Sequence, residues 1–333
     1  MVDYGNAPEH GERCDECRFD GAAYTDLDVA GTLRAIAPWW QLLVRNLDDD
    51  VLQQRPAPGV WSAVEYAEHS TMVTSVIAMG LAALLEHDGV DLGAVPGDPA
   101  MSDTPSTSPM ANALSTLERE VDAYADLAAK SLVEPDRFLV LDGDRYRAGW
   151  LVRHGLHDAL HHLQDVGRGL HALGAGTPSH AGTVVQINVS DGGVPKRPVD
   201  AVAVGYRGLE HDRQRSRRHH GRVWQALCLY STEAIARFQA EGHPIEWGSA
   251  GENFTVEGID WAAVRPGTRL RIGDVLAEIS LPALPCGHNA RWFTDGDFNH
   301  MHHERDYTRT RWYARVLEDG TVRTGDKVLV EPT

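Results

Sequence analysis

The spacing of apolar residues changes once along this 333-residue chain, and that change constrains the fold more than any other feature. From about Leu27 to Leu173 they recur every three or four positions, as in LRAIAPWWQLLVRNL, VEYAEHSTMVTSVIAMGLAALLEH, ALSTLEREVDAYADLAAKSL and WLVRHGLHDALHHLQDVGRGLHAL. That period lines side chains along one face of an α-helix, so four such runs predict a four-helix bundle of up-and-down connection. GAVPGDPAMSDTPSTSPM, between the second and third runs, has the turn chemistry of a loop. After GAGTPSHAG the period falls to two in GTVVQINVS, AVAVGYRG, TRLRIGDVLAEISLP and KVLVEP, each bounded by Gly or Pro. Those runs predict the short strands of a barrel or sandwich. The expected organisation is an irregular segment at 1–25 containing CDEC, a helical domain at 26–175 and a β-rich domain at 176–333, a length that accommodates two cores.

Charge excludes some partners. With 31 basic and 48 acidic residues the chain carries a formal charge of −17, which opposes nonspecific attraction to nucleic acid or an anionic membrane surface. The N-terminus is polar, and no apolar run is expected to meet the ~18 residues of a membrane span. The expectation is a cytoplasmic protein with neither nucleic-acid nor membrane partners, and a homodimer is the simplest assembly allowed for. Four cysteines, Cys14, Cys17, Cys228 and Cys286, are too few for a disulfide framework and are expected as reduced thiols.

The 17 histidines are the unusual component. In HDALHHLQDVG, His157 and His161 are i and i+4 on one helical face, within reach of a single ion. His69, in another helical run, would complete a three-imidazole site if the helices converge, and three imidazoles plus water make an open site suited to catalysis. The alternative is a partly exposed face whose histidines bond to carboxylates or water. His154 and His162 are expected at the surface or behind the ligands. CDEC is a C-x-x-C pair that binds metal, cycles through a disulfide or does neither, and its partners could include His10.

Residues from about Ala30 to Ala175, through PGVWSAVEYAEHS and HDALHHLQDVG, resemble the DinB-like (DinB/YfiT) superfamily of four-helix bundles. The resemblance implies a divalent metal, zinc or nickel, held by His69, His157 and His161, with Gln164 following. It also implies chemistry on a low-molecular-weight thiol or on water.

In the β-rich half, Cys286 stands between Pro285 and Gly287 after a predicted strand, which holds a thiol at a rigid loop end. His288, Arg291 and a helix N-terminus would favour its thiolate; a buried, inert thiol is the alternative. GGVPKRPVDAVAVGYRGLEHDRQ, HHGRVWQALCLYSTEAI, GSAGENFTVEGI and RWYARVLEDGTVRTGD, with the Cys286 segment, resemble a MOSC domain over about Ala181 to Thr333. The resemblance implies that Cys286 ligates molybdenum or carries sulfur. It further implies that Asp212, Arg213, His220, Glu252, Asn253 and Arg291 line a cleft for a pterin cofactor. The basic run containing Arg207, Arg213, Arg215, Arg217, Arg218 and Arg222 suits a phosphate or forms a solvated loop. Two departures, His211 before the Asp-Arg pair and Arg222 in a usual glycine position, would narrow that cleft. The segment FTDGDFNHMHHERDYTRTR, with His300, His302 and His303, reads as a lid, a further metal site or a polar loop.

Metal-activated thiol in one half and a reactive cysteine in the other make sulfur the common element. The leading expectation is a metalloenzyme of sulfur, thiol or molybdenum-cofactor metabolism, acting as a thiol or sulfur transferase on a small-molecule thiol. A molybdenum-cofactor-dependent reductase of N-hydroxylated compounds, with the pterin as its bound partner, and a noncatalytic metal or sulfur carrier are the alternatives.

Overall fold

The computed structural model describes residues 12–94, 102–176, 178, 180–216 and 219–331, and it divides into two compact units, Met1–Ala175 and Gly176–Thr333. The first opens with a hairpin of β1 (Arg13–Cys14) and β2 (Phe19–Asp20), so the described part of the N-terminal segment is ordered backbone rather than the irregular coil expected. His10 lies outside the described residues.

Helices α1 (Asp26–Leu43), α2 (Asp49–Leu52), α3 (Ala63–Glu86), α4 (Met110–Ser131) and α5 (Ala148–Ala172) follow. Reciprocal caps begin two of the long ones: Thr25 pairs with Asp28 and Ser62 with Glu65, each side chain satisfying an otherwise orphaned backbone N–H. The order around the bundle is α1, α4, α3, α5. This corrects the up-and-down neighbour relation, because α1 and α3, consecutive long helices, sit diagonally. The 19-residue connection from 44 to 62 is long enough to cross the bundle end, where a short turn would have forced them side by side.

Between α4 and α5 the chain makes β4 (Phe138–Leu141) and β5 (Asp144–Arg147), with β3 (Val90–Asp91) alongside β4. Asp142 and Gly143 turn the hairpin, both at positive φ, the type I′ preference of an Asp-Gly pair. Contrary to the expectation from hydropathy, α3 is apolar and long enough to span a membrane by length and composition. In this fold its apolar run packs on α4 and α5 instead.

The second unit is a closed barrel. Its strands are β6 (Ala181–Val189), β7 (Arg197–Val199), β8 (Ala201–Gly205), β9 (Gly208–Leu209), β10 (Leu227–Ser231), β11 (Phe254–Glu257), β12 (Arg269–Ile272), β13 (Val275–Ala283), β14 (Arg311–Glu318), β15 (Gly320–Arg323) and β16 (Lys327–Glu331). Seven of them, in the order β11, β10, β14, β13, β12, β16, β6, close through antiparallel pairing of β6 with β11; β7 flanks β6, and β15, β8 and β9 form a small side sheet. Only β10 and β11 run parallel in the ring, joined through α6 (Thr232–Ala240). Closure removes the open edges that strands otherwise present to other chains. Val184, Leu229, Phe254, Ile279 and Trp312 fill the interior and are fully buried.

In the bundle, Gly155 leaves room for the buried Tyr124, whose hydroxyl donates to Val152 O at 2.8 Å. A Cβ at 155 would stand 2.5 Å from that hydroxyl and 2.9 Å from Ile77 Cδ1. Gly155→Ala is therefore expected to destabilise the helical unit by about 1–3 kcal/mol in denaturant titration. Part of the loss should return in the Tyr124→Phe, Gly155→Ala double variant, and equal losses in both would show that the hydroxyl is not the clashing group.

Candidate functional site

The helical step of 100° decides how the histidines of α5 are distributed. His157 and His161 share one face, and Asp158 and His162 share a neighbouring one. The β1–β2 hairpin covers the first face, so Cys14, Cys17, His157 and His161 converge with their donor atoms all within 4.8 Å of one another. His69, on α3, meets the other face and gathers with Asp158 and His162. The His69, His157, His161 set is thus corrected: His157 and His161 are brought together, but their company is the C-x-x-C pair.

The site around the cysteines is held from several sides. Arg18, after the second cysteine, takes φ 60°, the left-handed conformation that lets the C-x-x-C turn double back. Gln164 Nε2 donates to Cys17 O at 3.1 Å, fastening the turn to α5, and Arg153 donates to Gly21 O and Tyr24 O at 3.2 and 3.0 Å. Phe19 stacks on the His157 ring with centroids 4.8 Å apart. Cys14 Sγ lies 3.6 Å from His161 Nδ1.

Glu12 bridges His154 Nδ1 at 2.8 Å and His157 Nδ1 at 2.9 Å. Burial alone would raise the Glu12 carboxyl, but those two imidazoles outweigh it and hold it at about 2. Burial alone would lower His157; contacts with Cys17 and Glu12 outweigh it and push it up to about 11. Burial likewise opposes, without cancelling, the lowering of the Cys14 thiol by the Cys17 backbone N–H and His157. His161 stays below its ordinary value, chiefly through burial. Carboxylate, thiols and imidazoles packed this closely favour a positive charge among them, whether proton or metal ion.

The second face is a carboxylate-bracketed imidazole. His162 Nδ1 sits 2.8 Å from Asp165 Oδ2 and Nε2 3.4 Å from Asp158 Oδ1, which overcome burial and raise His162 to about 9. His69 packs on Trp61 and His162, with centroids at 4.6 and 5.0 Å.

In the barrel unit, Cys286 is exposed, as the expected accessible thiol requires. It caps a 3-10 helix of six residues, Gly287–Trp292, and Asn289 Oδ1 accepts from Cys286 N at 3.4 Å and lies 3.8 Å from Sγ. Asn289 Nδ2 reaches Ala250 O at 3.5 Å, and the same carbonyl accepts from Arg311 Nη1 at 2.5 Å. Arg311 Nη2 reaches Leu284 O at 3.4 Å. Among the described residues no carboxylate lies within ion-pair distance of this buried guanidinium, whose Nε is also without a partner. A buried cation left this way is costly unless an anion completes it.

His220 reports the same positive field. Burial, then Arg311, His219, Arg222 and Lys196, lower it to about 4, and its Nδ1 lies 3.2 Å from the Tyr313 hydroxyl. Asp212 is a scaffold member: it accepts from Lys196 Nζ at 2.6 Å, Ser190 N at 2.8 Å and Asn253 Nδ2 at 2.9 Å. Asn253 Oδ1 accepts from Cys228 N at 3.1 Å, and buried Glu252 accepts from Gly248 N at 2.5 Å. Arg213 is exposed, its backbone N–H donating to Ser190 O at 2.7 Å. Arg291 is exposed too, with Nε donating to His288 O at 3.2 Å.

The two departing side chains turn to solvent or to their sequence neighbours. His211 adopts φ 62°, which explains a glycine preference there, and its side chain is largely exposed. Arg222 folds against Gln225 Oε1 and His219 O. Arg217 and Arg218 lie outside the described residues. The histidine-rich segment is pinned by fully buried Met301, and His300 pairs with Asp295 at 2.8 Å; among the described residues the metal-competent groups all fall in the helical unit.

Residues 39–166 match the DinB superfamily and residues 216–329 the MOSC domain family. An uncharacterised Bacillus subtilis protein, YflK, is 30% identical over 135 residues, which cover 40% of this chain; the chain spans 60% of that relative's length. YiiM from Geobacillus stearothermophilus is 28% identical over 45% of this chain and 75% of that one, with a TM-score of 0.37. YfiT from Bacillus subtilis, described as a probable metal-dependent hydrolase with an unusual four-helix bundle topology, is 14% identical over 43% of this chain and 86% of that one, with a TM-score of 0.35. The chain therefore joins a DinB-superfamily domain to a MOSC domain.

The Glu12 and His157 shifts yield a pH signature for protein kept metal-free with chelator. Glu12 contributes stability above its ordinary 4.5 and loses it as pH falls toward about 2; His157 contributes fully below 6.5 and loses it as pH rises toward about 11. The melting-temperature gap between wild type and Glu12→Gln should be widest between 4.5 and 6.5 and shrink on both sides. A gap independent of pH would refute the ion pair.

Proposed function

We propose that this fusion is a metalloprotein of sulfur or molybdenum-cofactor chemistry in which Cys286 is the reacting group and the helical domain holds a divalent cation. The observation that carries the reading is the exposed Cys286 thiol linked through Asn289 and Ala250 O to Arg311, a buried guanidinium without a carboxylate partner. A thiolate that takes the terminal sulfur of a donor persulfide forms one S–S bond and releases the donor's thiol. The product carries an exposed anionic sulfur, which nearby fixed positive charge stabilises. Arg311 supplies that charge, and His220, kept neutral, adds none at pH 7.

A second reading rests on the same charges. Fixed guanidinium groups beside a thiol suit a metal oxyanion ligated by sulfur and the phosphate of a pterin, as in a molybdenum-dependent reductase. Asp212 and Asn253 would then act indirectly, by holding Lys196 and the 188–190 strand end in place. A molybdenum cofactor would supply the two-electron redox chemistry; Cys286 and the cationic floor would orient it.

Persulfide-treated full-length protein is expected to carry about one cyanide-labile sulfur, lost in Cys286→Ser without a change in melting temperature. Arg311→Gln, which retains a donor but not the charge, should lower loading by about tenfold, and Arg311→Lys by less. Stoichiometric molybdenum in the purified protein, lost in the same variants, would favour the reductase. Unchanged sulfur and molybdenum in Cys286→Ser would refute both readings.

A further inference from the structure

We infer that Cys14, Cys17, His157 and His161 form a single closed, four-ligand site for a zinc-type cation that clamps the N-terminal hairpin to α5. This differs from the open three-histidine centre that the family resemblance implies, and His69 takes no part in it. The inference rests on the reading that the helical domain holds a divalent cation, and it names the ligands.

Three independent features support the assignment. The donor set is two thiols and two imidazoles, a combination matched to zinc. Bonds of ~2.3 Å to sulfur and ~2.0–2.1 Å to nitrogen at a tetrahedral centre put neighbouring sulfur and nitrogen atoms ~3.6 Å apart. Cys14 Sγ and His161 Nδ1 already stand at 3.6 Å.

The outer contacts have the right polarity. Glu12 Oε1 accepts from His157 Nδ1 at 2.9 Å, which leaves buried Nε2 with its lone pair for the ion. Carboxylates fix metal-bound imidazoles in this way. Glu16 and Asp165 stand 3.7 Å from His161 Nε2, on the side away from the nitrogen that faces Cys14.

The backbone is shaped for the ion as well. C-x-x-C occupies the turn of a two-stranded hairpin, N–H groups of Glu16 and Cys17 approach the Cys14 sulfur, and Cys17 is fully buried. Four protein ligands leave no position for water, so the ion is structural and its role is to attach residues 12–24 to the bundle.

The test uses full-length protein prepared without a histidine tag, stripped of metal and titrated with zinc or cobalt. One equivalent of zinc is expected. Cobalt should give thiolate charge-transfer absorption in the near ultraviolet and the strong visible bands of a tetrahedral centre. Cys14→Ser and Cys17→Ser should each reduce the charge-transfer intensity and weaken zinc by more than about tenfold; Glu12→Gln should weaken it by about 10–100-fold with the spectrum retained. His69→Ala should leave stoichiometry and spectrum unchanged. Metal that survives both cysteine substitutions but is lost in His69→Ala would overturn this assignment while sparing the broader reading. Cobalt spectra without thiolate bands in the wild-type protein would do the same, independently of whether any variant folds. Protein that binds no divalent cation and instead forms a Cys14–Cys17 disulfide would overturn both.

Discussion

The angular step of one helix governs the chemistry of the whole N-terminal unit. Along α5, every position advances the side chain by 100°, so the neighbours His161 and His162 in HDALHH cannot serve the same site. One ring turns to the thiols of the hairpin and the other to Asp158 and His69. The bundle's diagonal order follows through: α3 lies against α5 and delivers His69 to the second face, while the first is left for the N-terminal hairpin to cover.

The barrel unit depends on closure in a comparable manner. Pairing β6 with β11 places Asn188 beside Asn253 O, and Asn253 in turn holds Cys228 N, Asp212 and the Asn188 carbonyl. A compact polar network therefore ties these strand ends and loops together. Asp212 is committed to Lys196, while Arg311 has no carboxylate at ion-pair distance among the described residues and is held charged by the field of its buried neighbours, Glu252 among them.

The long helices and the barrel strands were legible because each repeats its burial pattern over many residues. The Phe138–Arg147 hairpin went unread although its Asp142-Gly143 turn was in plain view, since helical runs on both sides dominated the segment. The motif residues Asp212, Glu252 and Asn253 were found, and the structure gives each of them contacts to loops and backbone, which no motif distinguishes from ligand contact. Arg311 was missed because an arginine among strand residues looks like an outward-facing one; only the three-dimensional packing reveals that it is buried. The union of C-x-x-C with H-x-x-x-H spans almost the full helical unit, and local spacing carries no information about a partner so remote. The complementary ligand types were the one available clue.

That separation has a thermodynamic meaning. Positions 14 and 161 are 147 residues apart, so a bond through an ion would close nearly the entire helical unit into a ring. By the chain-entropy estimate used for disulfides, a loop of this size removes about 4–5 kcal/mol worth of freedom from the unfolded ensemble. A reversible inorganic staple of that strength would act where thiols remain reduced and covalent bridges do not persist. Its grip would follow free metal concentration, and the survival of the folded bundle against proteases would become a gauge of metal supply.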